Sequence, residues 1–139
     1  MTTRRGWLLT LSAVGYLLVL AALVFTPIAW ALNRFTVRLY VLFRYTWPIA
    51  PDWALPEHYG LLLNVVLFVP FGYLAARLTG WSWWQASLTA LATSVGIEVV
   101  QLGLDREPSW ADVATNTLGG CLGAILAALI ARRRPDPDG

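Results

Sequence analysis

The chain has 139 residues, of which 58% are hydrophobic and 13% charged, with eight Trp and a mean hydropathy of +0.59. Soluble domains are roughly half apolar and a quarter charged, so this composition excludes an ordinary globular domain and indicates a single membrane domain over 1–139. The formal charge of +2 is small and its arginines are scattered, so no nucleic-acid partner is expected. One Cys and one His leave no internal disulfide and no Cys/His zinc site.

Arg4 and Arg5 open a short basic head, and 7–26 is an uncharged apolar run of about the length that crosses a bilayer core. A cleavable signal competes with this reading, because Ala29-Trp30-Ala31 fits a small-x-small site. The run exceeds the usual h-region of about 7 to 15 residues, which favours a retained helix. Pro27, Pro48, Pro51 and Pro56 then exclude one continuous helix through the next segment. Within it, a 3.6-residue period over 33–45 sets Phe35, Leu39, Leu42 and Phe43 opposite Arg34, Arg38, Arg44 and Tyr45. This predicts a short interfacial helix, with an irregular loop as the alternative.

The second span is predicted at 60–77, entered through Asn64 and interrupted by Pro70 and Gly72. Ser82 followed by Gln85 is a capping-box pattern opening the third span, 83–104, and Trp81, Trp83 and Trp84 suit a headgroup belt. The fourth span, 112–131, starts from Ser109 as N-cap and stops at Arg132, Arg133 and Arg134. The predicted fold is therefore all-α: a polytopic bundle of four antiparallel transmembrane helices with an interfacial helix between the first two. Arginine placement favours both termini in the cytoplasm of a multi-pass cell-membrane protein. Arg4, Arg5, Arg77 and the C-terminal cluster then lie inside, and Arg34, Arg38, Arg44 and Arg106 outside.

That topology carries Asn64, Glu98, Gln101, Asp112 and Asn116 into the outer part of the membrane, within roughly 10 Å of the interface at about 1.5 Å rise per residue. Ser94, Glu98 and Gln101 share one helix face, and Asp112 and Asn116 another. Below Asn116 the stripe continues through Gly119, Gly120 and Gly123, small residues that admit a close helix, so the fourth span is expected to be central. A carboxylate in an apolar helix is expensive in lipid, which favours a functional Glu98 over a structural ion pair with Arg106. Arg106 is either that partner or a clamp for an anion. Asp112 is either a site residue or the second half of a capping box with Ser109. His58, Asp52 and Glu57 read as interface and loop residues.

Asn64, Phe68, Pro70 and Gly72 resemble the N-x-x-x-F-x-P-x-G motif of VanZ-like membrane proteins. Glu98 and Gln101, then Arg106, then Asp112, Asn116 and Gly119-Gly120 resemble the family's second block, E-x-x-Q, R and D-x-x-x-N-x-x-G. The resemblance covers 60–131. It implies a small polytopic membrane domain, and a context of low-level resistance to teicoplanin-type glycopeptides, without implying a reaction.

Three functions remain in view. The favoured one is a non-enzymatic envelope protein that binds a lipid, an envelope ligand or a glycopeptide through Asn64, Glu98, Gln101, Arg106, Asp112 and Asn116. The second is a membrane-embedded enzyme on a lipid-linked substrate, with Glu98 and Asp112 as acid and base. The third is a packing scaffold built on Phe68, Pro70, Gly72, Gly119, Gly120 and Gly123. No metal or other cofactor is expected, and the sequence sets no oligomeric state.

Overall fold

The computed structural model describes residues 4–25, 29–103 and 108–132. Their regular secondary structure is all helical: α1 (Arg4–Phe25), α2 (Ala29–Val41) running into a π-helical turn (Leu42–Thr46), α3 (Pro56–Thr79), α4 (Trp83–Leu102) and α5 (Trp110–Arg132). Three of these, α1, α3 and α5, are long and apolar enough to cross a membrane. Helix α4 has comparable length, 20 residues, but is not among them, because Gln85, Ser87, Thr89, Ser94, Glu98 and Gln101 dilute its apolar run.

Helix α5 is the centre of the bundle, packed chiefly on α3 and then on α4. Glycine makes this possible. A methyl group on Gly119 would stand 2.9 Å from Phe68 Cβ, one on Gly123 would stand 2.8 Å from Tyr73 N, and one on Gly72 would overlap the Gly120 carbonyl. These contacts advance in the same direction along both helices, so α3 and α5 run parallel. Helix α4 runs antiparallel to α5, with Ala90 against Gly120 and Ser94 against Asn116. The expected antiparallel neighbours therefore hold for consecutive helices, whereas the tightest crossing joins two helices that are not consecutive. Such an interface of small residues is how helices approach in a medium as apolar as their own side chains. The large apolar side chains instead face outward, Leu62, Leu88, Val99 and Leu118 among them.

Helix α3 begins at Pro56, four residues before the expected start. Proline suits a first helical position, and His58 Nδ1 accepts the Leu55 N–H at 2.9 Å. The helix then runs unbroken past Pro70 and Gly72, where an interruption was expected. Pro70 and Val66 both lie on its exposed face. At the start of α4 the expected capping box is present, the Ser82 N–H and hydroxyl both donating to Gln85 Oε1 at 3.0 and 2.8 Å.

The helix predicted at 33–45 exists, shifted to Ala29–Val41 and prolonged by the π turn that ends before Pro48. Its inward stripe differs from the expected one: Thr36 is 6% exposed and Phe35 47%. Tyr40 and Phe43 set the register instead, lying 6.1 and 6.2 Å from Tyr59 at the start of α3. Arg44 pairs with Asp52 at 2.6 Å, and this carboxylate holds the guanidinium still further above its ordinary pKa. Helix α1 is the loosest member. It joins the core through Leu20, which packs with Phe68 and Ala90, and through the Tyr16 hydroxyl, which donates to the Leu67 carbonyl at 2.6 Å.

Candidate functional site

Ala86, Ala90, Ser94 and Glu98 recur every four residues and form the buried face of α4. The first three are small enough to sit against α5. Glu98 comes where the two helices end their crossing, and its Oε2 accepts the backbone N–H of Ser109 at 2.8 Å. Ser109 is the N-cap of α5, as the sequence predicts, its Oγ accepting the Asp112 N–H at 3.1 Å. In a capping box the Asp112 carboxylate would take the Ser109 N–H. Glu98 has taken that donor, so the cap is shared between two helices and the Asp112 carboxylate is released from it. One turn further, Asn116 Nδ2 donates to Ser94 Oγ at 2.9 Å, a buried bond that ties α5 to α4.

Above the glycine crossing the helices diverge around a cavity of about 980 Å³. This is at the upper end of the roughly 300 to 1,000 Å³ of small-molecule pockets. Asn64 from α3, Glu98 and Gln101 from α4, and Asp112 and Asn116 from α5 all line it. Arg106, the sixth residue expected here, lies outside the described residues, as do Arg133 and Arg134. Of the predicted structural residues, Phe68 also lines the cavity, whereas Gly72, Gly119, Gly120 and Gly123 lie at the helix crossing. Each sequence block thus serves both features. Asn64 and Phe68 face the cavity one turn apart and Gly72 meets α5 one turn later, while Asp112 and Asn116 face the cavity and Gly119 meets α3.

Sequence reasoning missed Asn33 and Thr36 of α2, left His58 out of the site and placed Glu57 in a loop, whereas all four line the same cavity and Glu57 belongs to the first turn of α3. The available signal for Glu57 and His58 was Pro56, which starts α3 early enough to carry both on its first turn. For Asn33 and Thr36 the signal is their three-residue spacing, which places them on one helix face. Leu20 and Leu23 of α1, Leu61 and Leu67 of α3, and Ile97 of α4 supply an apolar wall.

Hydrogen bonding divides the polar lining into two groups. Asn116, Ser109 and one oxygen of Glu98 hold helices together. The side chains of Asn33, Asn64, Gln101 and Asp112, and Oε1 of Glu98, take no hydrogen-bond partner among the described residues. No group of His, Cys, Asp and Glu among the described residues has the arrangement of a metal site.

The family model described as VanZ/LLP1 matches residues 13–131. The chain belongs to the VanZ/LLP1 family. The match begins within α1 and includes α2 and the proline-rich segment. In this VanZ/LLP1 protein the greater part of α1 and the segment after it therefore belong to the family domain, although the motifs legible by eye start only at Asn64. None of the curated proteins compared matches the chain, and no solved structure does.

Proposed function

We propose that this VanZ/LLP1 protein is a four-span protein of the cell membrane that binds a polar or amphiphilic envelope ligand in the cavity. Both termini are cytoplasmic and the cavity opens outward. Helix α4 is the remaining span: its 20 residues reach about 30 Å at 1.5 Å each, the thickness of the hydrocarbon core. Its polar residues Ser94 and Glu98 are buried in the bundle, while Leu88, Leu91, Val95 and Val99 are exposed toward lipid. Helix α2 with its π turn lies in the outer interface, consistent with its Arg34, Arg38 and Arg44.

The observation that carries the binding reading is the set of polar side chains that line the cavity and take no hydrogen-bond partner among the described residues. Residues that serve only as interhelical glue are expected to bond across helices, as Asn116 does with Ser94. Asn64, Gln101 and Asp112 line an open cavity instead, with their donors and acceptors available to a ligand. Ligand classes that suit polar groups beside an apolar wall are lipid headgroups, lipid-linked envelope precursors and glycopeptides of the teicoplanin type. The test is teicoplanin-type susceptibility in cells carrying wild type, Asn64→Ala or Glu98→Gln at matched membrane levels. Protection by wild type that both variants lack supports this reading, and equal susceptibility of all three strains contradicts it.

A second reading, catalysis on a lipid-linked substrate, draws on His58 and the carboxylates of Glu57, Glu98 and Asp112 sharing one cavity. These are groups that transfer protons. It requires purified protein to convert an envelope lipid and Glu98→Gln to abolish the product. Turnover that survives Glu98→Gln would leave these groups without a chemical role.

A further inference from the structure

We propose that the end of the bundle opposite the cavity holds an anionic phospholipid, its phosphate drawn to Arg77 and Arg132 and an acyl chain lying in a cleft between α4 and α5. This goes beyond the binding reading above and does not depend on it.

Arg77 carries the inference. It lies in the last turn of α3 and is partly exposed, yet its Nε is buried with no hydrogen-bond partner, the one such side-chain atom among the described residues. A basic residue in a last helical turn ordinarily bonds the terminal carbonyls. Here the turn caps itself. Gly80, in the left-handed region at φ 72°, donates its N–H to the Ala76 carbonyl at 3.1 Å, and the Thr79 hydroxyl donates to the Ala75 carbonyl at 2.6 Å. Nor does Arg77 pair with a carboxylate among the described residues, where the ion pair is that of Arg44 with Asp52, before the start of α3. A guanidinium is weakly hydrated and its planar fork fits a phosphate bidentately, so an anion from the membrane is the partner this geometry suits.

The sign of this end follows from the whole sequence. Helices α3 and α5 finish here and α4 begins here, as does α1, whose Leu20 and Leu23 reach the cavity near its other terminus. Arg4, Arg5, Arg77 and Arg132 therefore belong to it. Every acidic residue from Asp52 to Asp112 lies before or at the start of α3, at the end of α4, in the connection from α4 to α5, or at the start of α5. The remaining two, Asp136 and Asp138, are matched by Arg133 and Arg134 of the same tail, so no placement of that tail makes this end negative.

An apolar cleft argues for a lipid instead of a free anion. Trp83 of α4 and Ile125, Ala128 and Leu129 of α5 line about 250 Å³ that ends at Arg132, and Trp83 stands just beyond the Gly80 turn from Arg77. Trp81, Trp83 and Trp84 are exposed around it, the side chains that lie at headgroup depth. In the orientation proposed above this is the cytoplasmic leaflet, where basic pockets between spans take anionic headgroups.

The full chain in detergent is offered phosphatidylglycerol and phosphatidylcholine with matched acyl chains, and bound lipid is read by native mass spectrometry. Phosphatidylglycerol should bind at least about tenfold more strongly, the scale of one charge-assisted hydrogen bond. That preference should fall severalfold in Arg77→Gln, in Arg132→Gln and in Ala128→Phe, which fills the cleft. It should persist in Arg38→Gln on α2 and in Asn64→Ala in the cavity, and soluble glycerol phosphate should not displace the lipid. Equal binding of the two lipids, or a preference untouched by both arginine variants, overturns the site. A preference lost in Asn64→Ala moves the lipid to the cavity and overturns it too, while displacement by glycerol phosphate overturns the lipid in favour of a free anion.

Discussion

Replacing Gly72 with alanine tests the helix crossing on which the cavity rests. The added Cβ would lie 2.5 Å from the Gly120 carbonyl carbon and 2.8 Å from its Cα, and would overlap the carbonyl oxygen itself. Carbon atoms prefer about 3.5 to 4.0 Å, so α3 and α5 must separate by roughly 1 Å. The obstacle is backbone, which no rotamer change relieves. Separation also loosens Gly119 against Val65 and Phe68 and Gly123 against Val69 and Tyr73, because all three glycines lie along one crossing. A radial gap of about 0.5 to 1 Å forfeits a quarter to a half of each dispersion contact. Overpacking of this kind costs about 1 to 3 kcal/mol, and the rigid obstacle places Gly72→Ala near the upper value. Gly96 supplies the control: a methyl there meets nothing within 4 Å, so Gly96→Ala should be neutral or stabilising by up to about 1 kcal/mol through helix propensity. Reversible unfolding of both variants in mixed micelles measures the difference. If Gly72→Ala unfolds as wild type does, the parallel glycine crossing is wrong.

Three further outcomes follow from individual bonds. Ser109→Ala removes the acceptor for the Asp112 N–H and should destabilise the α5 terminus by about 1 kcal/mol, whereas Ser109→Gly should cost only a few tenths; both are read by the same micellar unfolding. Tyr16→Phe loses the bond to the Leu67 carbonyl, a loss averaging about 0.6 kcal/mol in membranes, and should raise hydrogen exchange in α1 while leaving α5 unchanged. His58→Phe deletes the acceptor for the Leu55 N–H, so exchange should rise at the first turn of α3 with the Gly72 region unaffected.

The apolar runs of the sequence locate all four long helices to within a few residues, and the arginine-bearing helix between the first two as well. Local chemistry was the readable part: Ser82 with Gln85, and Ser109 before Asp112, are caps whose partners lie three residues away. The parallel pairing of α3 with α5 was harder to see. Short connections argue only about consecutive helices, while Gly72, Gly119 and Gly123 mark a close approach without naming the helix that makes it. The released Asp112 carboxylate was beyond sequence reasoning, because it depends on Glu98 crossing eleven positions to take the Ser109 N–H. Helical phase grouped Glu98 with Gln101 and Asp112 with Asn116. Only the crossing of three helices brings those faces to one cavity, and only the docking of Tyr40 and Phe43 on Tyr59 turns Asn33 and Thr36 toward it.

The central claim is that Asn64, Gln101 and Asp112 line the cavity for a ligand and not for stability. The direct measurement is native mass spectrometry of the protein purified gently from its own membranes, wild type beside Asn64→Ala/Gln101→Ala, with unfolding measured on the same samples. The account predicts a small-molecule adduct on wild type that the double variant lacks, at stabilities within about 0.5 kcal/mol, since neither side chain holds a hydrogen bond among the described residues. Identical adducts on both proteins, or a double variant that loses its fold, would contradict it.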